Sequence, residues 1–524
     1  MKTQITNHNN DTITSQRGNN SSAWRSLAIT VLLLLATVSY AGAQVKYNSC
    51  FASPIGGNGC PSPQYRSGAI GSVYNADLTG APWGGGAKGV LNSTSVSQLA
   101  LLTPSQGIQT HGGCQAQPSG TAILSPTSSP SIESRIVFPA LDMYSNCALF
   151  YYDVTNPTAP QYMPPISTLP VTSSPGYNGE VVIAGEDGSV YSYDWASNTL
   201  AWTFTNPYAA PFDSSPSTWP GLPYTYVVDA LGDIFYLNDS GSAAFTIFSP
   251  VFPGGVNPTY PGGYTPSASS LAASTASNKL FVAGGDGSGA GAVCAYDAKD
   301  STFLWCNKTP INVVTSSPVV SDSLGGLYVQ SSATCSTPLI YALDFTGKVL
   351  GSAQPFYPNG SCNPARGEVY LFSSGGSPAY DGTANGGASK YVIASAYVAG
   401  YSYLGHGTPP TFQFSVLDVF DATNGAQLCS AAINHPITNS SPEVVNGVIY
   451  IGTDDGYVLA YQEPPTCNNG ALNLLWTSST GSSCVSGSPC PMDKGLEGPP
   501  VVSFNRVHAV SQNGTLYVWH LPGF

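Results

Sequence analysis

A small-residue-plus-proline step recurs along this chain, at Pro130, Pro175, Pro216, Pro266, Pro318, Pro378, Pro442 and Pro500. Successive steps lie 41 to 64 residues apart, a period that restricts the fold to solenoids, propellers or arrays of one supersecondary unit. Each step leads into an apolar strand, a Gly-rich turn and an aromatic strand that often ends in Asp. The clearest copy runs Ser440-Ser441-Pro442, Val448-Ile449-Tyr450-Ile451-Gly452, Asp454-Asp455-Gly456, Tyr457-Val458-Leu459-Ala460-Tyr461. The proline opens a strand where no ladder N–H is yet required. The apolar run reads as a buried strand, and Asp-Gly supplies the positive-φ positions of a two-residue hairpin turn. Residues 181–194, 280–287 and, with more divergence, 507–519 follow the same grammar. No amphipathic helical stretch competes with these strands.

Composition agrees. Gly 57, Pro 43 and Tyr 31, with only 8% charged residues, suit many short strands and tight turns. Hydrophobic residues at 42% supply a large core and exclude a disordered chain. The net charge of −13, with no basic run, excludes a phosphate-neutralising surface, so no nucleic-acid partner is expected.

Residues 1–43 read as a targeting segment. A polar stretch with Lys2, Arg17 and Arg25 precedes an apolar run from Leu27 to Val38, and Ala41-Gly42-Ala43 is an A-x-A cleavage signature. The run is short of the about 20 residues of a membrane span, so the expectation is a cleaved signal peptide and a secreted protein with no membrane contact. The alternative is a type II anchor that leaves the rest of the chain outside. All 12 cysteines follow residue 43, as do sequons at Asn92, Asn238, Asn307, Asn359, Asn439 and Asn513, both in keeping with a secretory route. Residues 44–91 form a Cys- and Gly-rich lead-in, and residues 92–524 hold the repeats.

The aromatic strands carry a further register. Asp297 follows Ala295-Tyr296 and precedes Trp305; Asp194 follows Ser192-Tyr193 and precedes Trp202. Asp421 with Gly425 keeps the register but puts Cys429 where Trp would stand; Asp344 with Gly347 keeps the front half and has no Trp; Ala460-Tyr461 reaches Trp476 after an insertion. This series resembles the tryptophan-docking motif of the pyrroloquinoline-quinone (PQQ) repeat family, the quinoprotein alcohol dehydrogenase-like β-propellers. The resemblance implies an all-β propeller of four-stranded antiparallel blades, eight by the repeat count with seven as the alternative. It implies that Trp202, Trp305 and Trp476 wedge between blades, with Asp194, Asp297, Asp344 and Asp421 as structural partners in the motif. The last repeat lacks a fourth strand, and residues 92–102 look like the segment that precedes the first blade in that family, so this segment is expected to complete the last blade and remove the exposed edges.

Cys294 and Cys306 are equidistant from Asp300, the centre of a hairpin turn, and are expected to face each other within disulfide range. The pairings Cys50–Cys60, Cys114–Cys147, Cys335–Cys362 and Cys484–Cys490 remain open.

The resemblance also raises a PQQ- and calcium-dependent dehydrogenase of alcohols or sugars. The residues do not support it: no adjacent Cys-Cys pair and no C-x-x-C-H motif occur, and no motif places the family's catalytic Asp or its calcium ligands. The acidic turns at 186–188, 286–287 and 454–456 are what tight hairpins want. Residues 381–386 mimic the start of a calcium loop, but Val392 stands at its twelfth position in place of the Glu it requires. The hydroxyls before the repeat prolines recur with the repeat and so belong to architecture. No catalytic residue and no metal ligand is assigned, and no cofactor is expected. What remains is surface: two long insertions carry Tyr260 and Tyr264, and Tyr397, Tyr401, Tyr403 and His406, as candidate contacts for an extracellular protein or glycan. The sequence therefore favours a secreted, non-enzymatic binding scaffold over the quinone enzyme, with a structural matrix component as a third idea.

Overall fold

The computed structural model describes residues 91–102 and 123–522, apart from 125–134, 142–146, 154–160, 163–170, 219–223, 248–270, 286–290, 308–316, 357–367, 382–389, 403–410, 480–491 and several shorter stretches. The targeting segment, nearly all of the lead-in and the sequons at Asn359 and Asn439 lie outside the described residues.

The described chain is all-β, with one 3-10 turn at Val96–Gln98. Among the described residues, eight antiparallel sheets follow one another over residues 123–162, 176–205, 217–247, 272–307, 319–353, 368–433, 443–477 and 501–520, the sixth also taking Ala333–Thr334. Most have four strands in simple sequence order, the pattern that short strands joined by tight turns produce. The eighth takes its fourth strand from the start of the described chain: Ala100–Leu101 pairs with Leu516–His520, Ala100 opposite His520 and Leu101 opposite Trp519.

Strand periodicity explains the packing. In Glu180–Ala184, Val181 and Ile183 face one way and pack with Val137 and Leu149 of the first sheet, while Val182 and Ala184 pack with Val227, Phe235 and Leu237 of the third. Both faces are buried, so the strand is apolar throughout. The other seams repeat this between sheets consecutive in the chain. One further cluster joins Phe138 and Phe150 of the first sheet to Val501, Leu516 and Val518 of the eighth.

The Asp-Gly turns differ from the two-residue hairpin expected. In the second sheet the Gly185 N–H donates to Ser189 O, so three residues form the loop, and only Gly188 has positive φ, at 75°. The Asp187 side chain instead accepts the Ser189 N–H at 2.9 Å. Residues 453–457 repeat this geometry, with Gly456 at φ 94°. The third residue relieves the strand twist that a two-residue loop needs two left-handed residues to match.

Cys294 and Cys306 stand directly opposite each other in the fourth sheet and form a disulfide, their Cα atoms 4.1 Å apart. A second disulfide, Cys429–Cys467, was not among the expected pairings. Cys147 is also disulfide-bonded; its partner, and both cysteines of the other three open pairings, lie outside the described residues.

Candidate functional site

In several sheets the outermost strand has one position, just before a ladder bulge, that meets the neighbouring sheet. In the second, fourth and seventh sheets Trp202, Trp305 and Trp476 stand opposite Ser192, Ala295 and Ala460, each just before a bulge in the ladder. Trp202 lies against Gly241 of the third sheet and Trp305 against Gly347 of the fifth. A Cβ on either glycine would come within 2.6 Å of the indole ring. Both glycines also have positive φ, 74° and 88°, which makes them doubly intolerant of a side chain. Trp305 Nε1 donates to Phe345 O at 3.0 Å. Trp476 meets Trp519 edge-on, ring centroids 5.7 Å apart. Trp519, which the sequence reading missed, is fully buried and donates to Ser479 O.

The motif's aspartates shape the turns rather than touch the indoles. Asp194 accepts Ser197 N–H, Asp297 accepts Lys299 N–H, Asp344 accepts Thr346 and Lys348 N–H, and Asp421 accepts Thr423 N–H. These are Asx turns that tighten the loop carrying the receiving residue. The Ser steps before the prolines are structural as well. Ser173 Oγ accepts Ala184 N–H and donates to Ala184 O, and Ser214 does the same with Val228. Ser317 N–H donates to Ser377 Oγ, and Ser377 N–H to Ser441 Oγ, which links the inner edges of the fifth, sixth and seventh sheets.

The sixth sheet departs from the repeat. Its two central strands, Tyr391–Ser402 and Thr411–Asp421, run 12 and 11 residues. The extra length pairs with Glu368–Ser373, which pairs in turn with Ala333–Thr334. The segment expected to be a loop from Tyr397 is therefore strand as far as Ser402. Tyr397 and Tyr401 belong to this extension, and Tyr397 packs on Phe412 with ring centroids 5.1 Å apart. Tyr403, His406, Tyr260 and Tyr264 lie outside the described residues.

The chemistry-bearing groups are dispersed. Asp229 is buried, accepts Asn206 Nδ2 at 2.8 Å, and burial raises its carboxyl to about 6. Asp418 accepts Phe356 N–H and Gln427 Nε2–H, and burial raises it to about 7. Burial and the neighbouring Asp381 push Glu463 well above the usual carboxylate range. His435 Nδ1 lies 2.7 Å from Asp455 Oδ2 in a partly exposed pair beside Tyr457. Among the described residues no three His, Cys, Asp or Glu side chains converge on one point. Asp229 and Asp418 each accept protein N–H groups and lie in different sheets. Of the sequons, Asn513 is exposed in a turn, whereas Asn307 Nδ2, the atom a glycan would occupy, donates to Gly347 O.

Several solved structures share this architecture. A quinohemoprotein alcohol dehydrogenase from Comamonas testosteroni aligns with TM-score 0.59 and 12% identity over 92% of this chain and 85% of that one. Another from Pseudomonas putida HK5 gives 0.58 and 12% over 88% and 80%. A europium-containing methanol dehydrogenase gives 0.55 and 13% over 88% and 89%. At such identities the likeness is one of fold, and it assigns the chain a quinoprotein-like β-propeller architecture. No family model matches the sequence, and no curated protein matches it.

Proposed function

We propose that this protein is a secreted, non-enzymatic β-propeller scaffold that binds an extracellular protein or carbohydrate. In this reading the eight sheets are eight blades of a closed ring, with Ala100–Leu101 completing the last blade. The seams between consecutive sheets, and the cluster joining the first to the eighth, support that arrangement. The observation that carries the binding function is the extension of the sixth sheet. Five of the other sheets have second strands of five residues. Here a 12-residue strand pairs with two added strands that the four-stranded repeat does not contain. Rigid elements bearing Tyr present contact area with little entropy lost on binding.

The likeness of fold favours a second reading, a PQQ- and calcium-dependent oxidoreductase acting on alcohols or sugars. Calorimetric titration of PQQ into the purified protein with Ca²⁺ present separates the two. Saturable micromolar binding overturns the scaffold reading; no heat from folded protein supports it. In the same preparation, replacing residues 399–412 with Asn-Gly is expected to abolish retention on an immobilised glycan array or cross-linking to co-secreted proteins. Retention and cross-linking unchanged in the shortened variant would refute the role of the sixth-sheet surface.

A further inference from the structure

The seam between the fifth and sixth sheets breaks the docking rule. Opposite Ala342, just before the same ladder bulge, the fifth sheet places Gly351. The equivalent position is Trp202 in the second sheet, Phe245 in the third, Trp305 in the fourth, Cys429 in the sixth and Trp476 in the seventh. Cys429 closes its own seam covalently through Cys467 of the seventh sheet. Among these six sheets, the fifth alone has no side chain at this position.

The receiving side is nevertheless built. The facing turn runs from Asp421 to Gly425, with the same Asp cap as the turn that receives Trp305, and Gly425 has φ 73°. A Cβ built on Gly351 or on Gly425 meets no atom within 4 Å, whereas on Gly347 it strikes the indole of Trp305. The space between is a cavity of ≈ 180 Å³ lined by Tyr328, Ile340, Ala342, Val392 and Phe420 beneath the Thr423–Asn424–Gly425 turn. Leu350 and Asn424 at its rim are exposed. Tyr328 stands on Tyr380, ring planes 14° apart, and donates its hydroxyl proton to Ala422 O at 2.7 Å. That carbonyl corresponds to Phe345 O, which takes the Trp305 N–H in the filled seam. The apolar wall is therefore fixed and its polar atom satisfied without an occupant. Benzene is taken up by apolar cavities of about 150 Å³, so this pocket, open at its Leu350–Asn424 rim, has room for a ring of that class or somewhat larger.

We infer that the seam between the fifth and sixth sheets is a binding site for a small planar aromatic molecule of indole size, which occupies the place that a docking Trp fills elsewhere in the same chain. The specific residues are Gly351 and Gly425, which leave the space, and Tyr328 and Phe420, which wall it.

The test is titration of the full protein with indole, followed by calorimetry and by ¹⁹F line-broadening of 5-fluoroindole. Gly351→Trp and Gly351→Phe serve as the blocking variants, Phe being the residue the third sheet uses at this position. The expected result is saturable binding to the unmodified protein, weakened at least tenfold in both variants, together with a raised Tm as the seam is filled from within. Three results would overturn the inference: no saturable binding of either probe, binding undiminished in a folded variant, or failure of both variants to fold, which would show that the seam has no room for a ring.

Discussion

Asp418 gives the sharpest physical test of the sixth sheet. It lies in Thr411–Asp421, is fully buried, and among the described residues its carboxylate receives the Phe356 N–H and Gln427 Nε2–H, both at 3.1 Å. Burial outweighs these two donors and raises its pKa from 3.8 to about 7. The sign follows from linkage. Between pH 4 and 7 the unfolded chain has lost this proton and the folded chain still holds it, so stability falls as pH rises through that window. The slope is about 1.4 kcal/mol per pH unit, and the accumulated cost near pH 7 is about 4 kcal/mol. Above the folded pKa the loss is complete and the curve flattens. Asp418→Asn removes the titration; its amide oxygen keeps the Phe356 N–H, and a flip of the Gln427 amide supplies an acceptor for the new NH₂. Urea unfolding of both proteins from pH 4 to 8 is the assay. The variant should match the parent near pH 4 and gain on it progressively up to pH 7. A stability difference that does not change with pH, or that shrinks as pH rises, would refute the argument.

Trp305→Ala should cost less than the about 3–5 kcal/mol of a fully buried Trp, since the half-buried ring fills a seam and donates its Nε1–H to Phe345 O; Trp305→Phe should cost less still, and chemical denaturation distinguishes them. Cys294→Ala with Cys306→Ala opens a loop with sequence separation 12 and should lower stability by about 3 kcal/mol relative to the oxidised parent, a difference that reductant abolishes. Ser440→Ala leaves the buried Gly452 N–H without the Oγ that accepts it at 3.0 Å and should cost about 1–3 kcal/mol, measurable as a lowered urea midpoint.

The docking series was legible in sequence because it depends on local spacing. Asp, a turn residue and an aromatic at fixed offsets follow from one hairpin and its bulge, and Trp202 and Trp305 stand where that register puts them. The Cys294–Cys306 bond was legible for the same reason, since a hairpin turn fixes which residues face each other. The Cys429–Cys467 bond was not, because it joins two sheets across an insertion whose path no local rule specifies. The long hairpin was read as a loop insertion because it lengthens the repeat, whereas strands cover it up to Ser402 and again from Thr411. Yet Tyr397, Tyr401 and Tyr403 lie at even spacings, the period-2 signal of one strand face, and weighting that over glycine content would have extended the strand.

Gly351 marks a different limit. The sequence showed that the fifth repeat keeps Asp344 and Gly347 but carries no Trp, and a missing residue reads simply as divergence. Its consequence appears only when two repeats are set against each other. In the filled seams one sheet sends a side chain against a turn of the next, so losing the sender matters only if the receiver keeps its shape. Asp421 still caps its turn and Gly425 still holds its left-handed conformation, while the Tyr328 hydroxyl occupies the carbonyl that an indole N–H would have met. A seam that had merely lost its Trp by drift would be expected to relax inward, because the lining forfeits dispersion contacts across a void. This one keeps a stacked tyrosine pair and a satisfied hydrogen bond at its wall, and these are the fixed groups against which the proposed ring would sit.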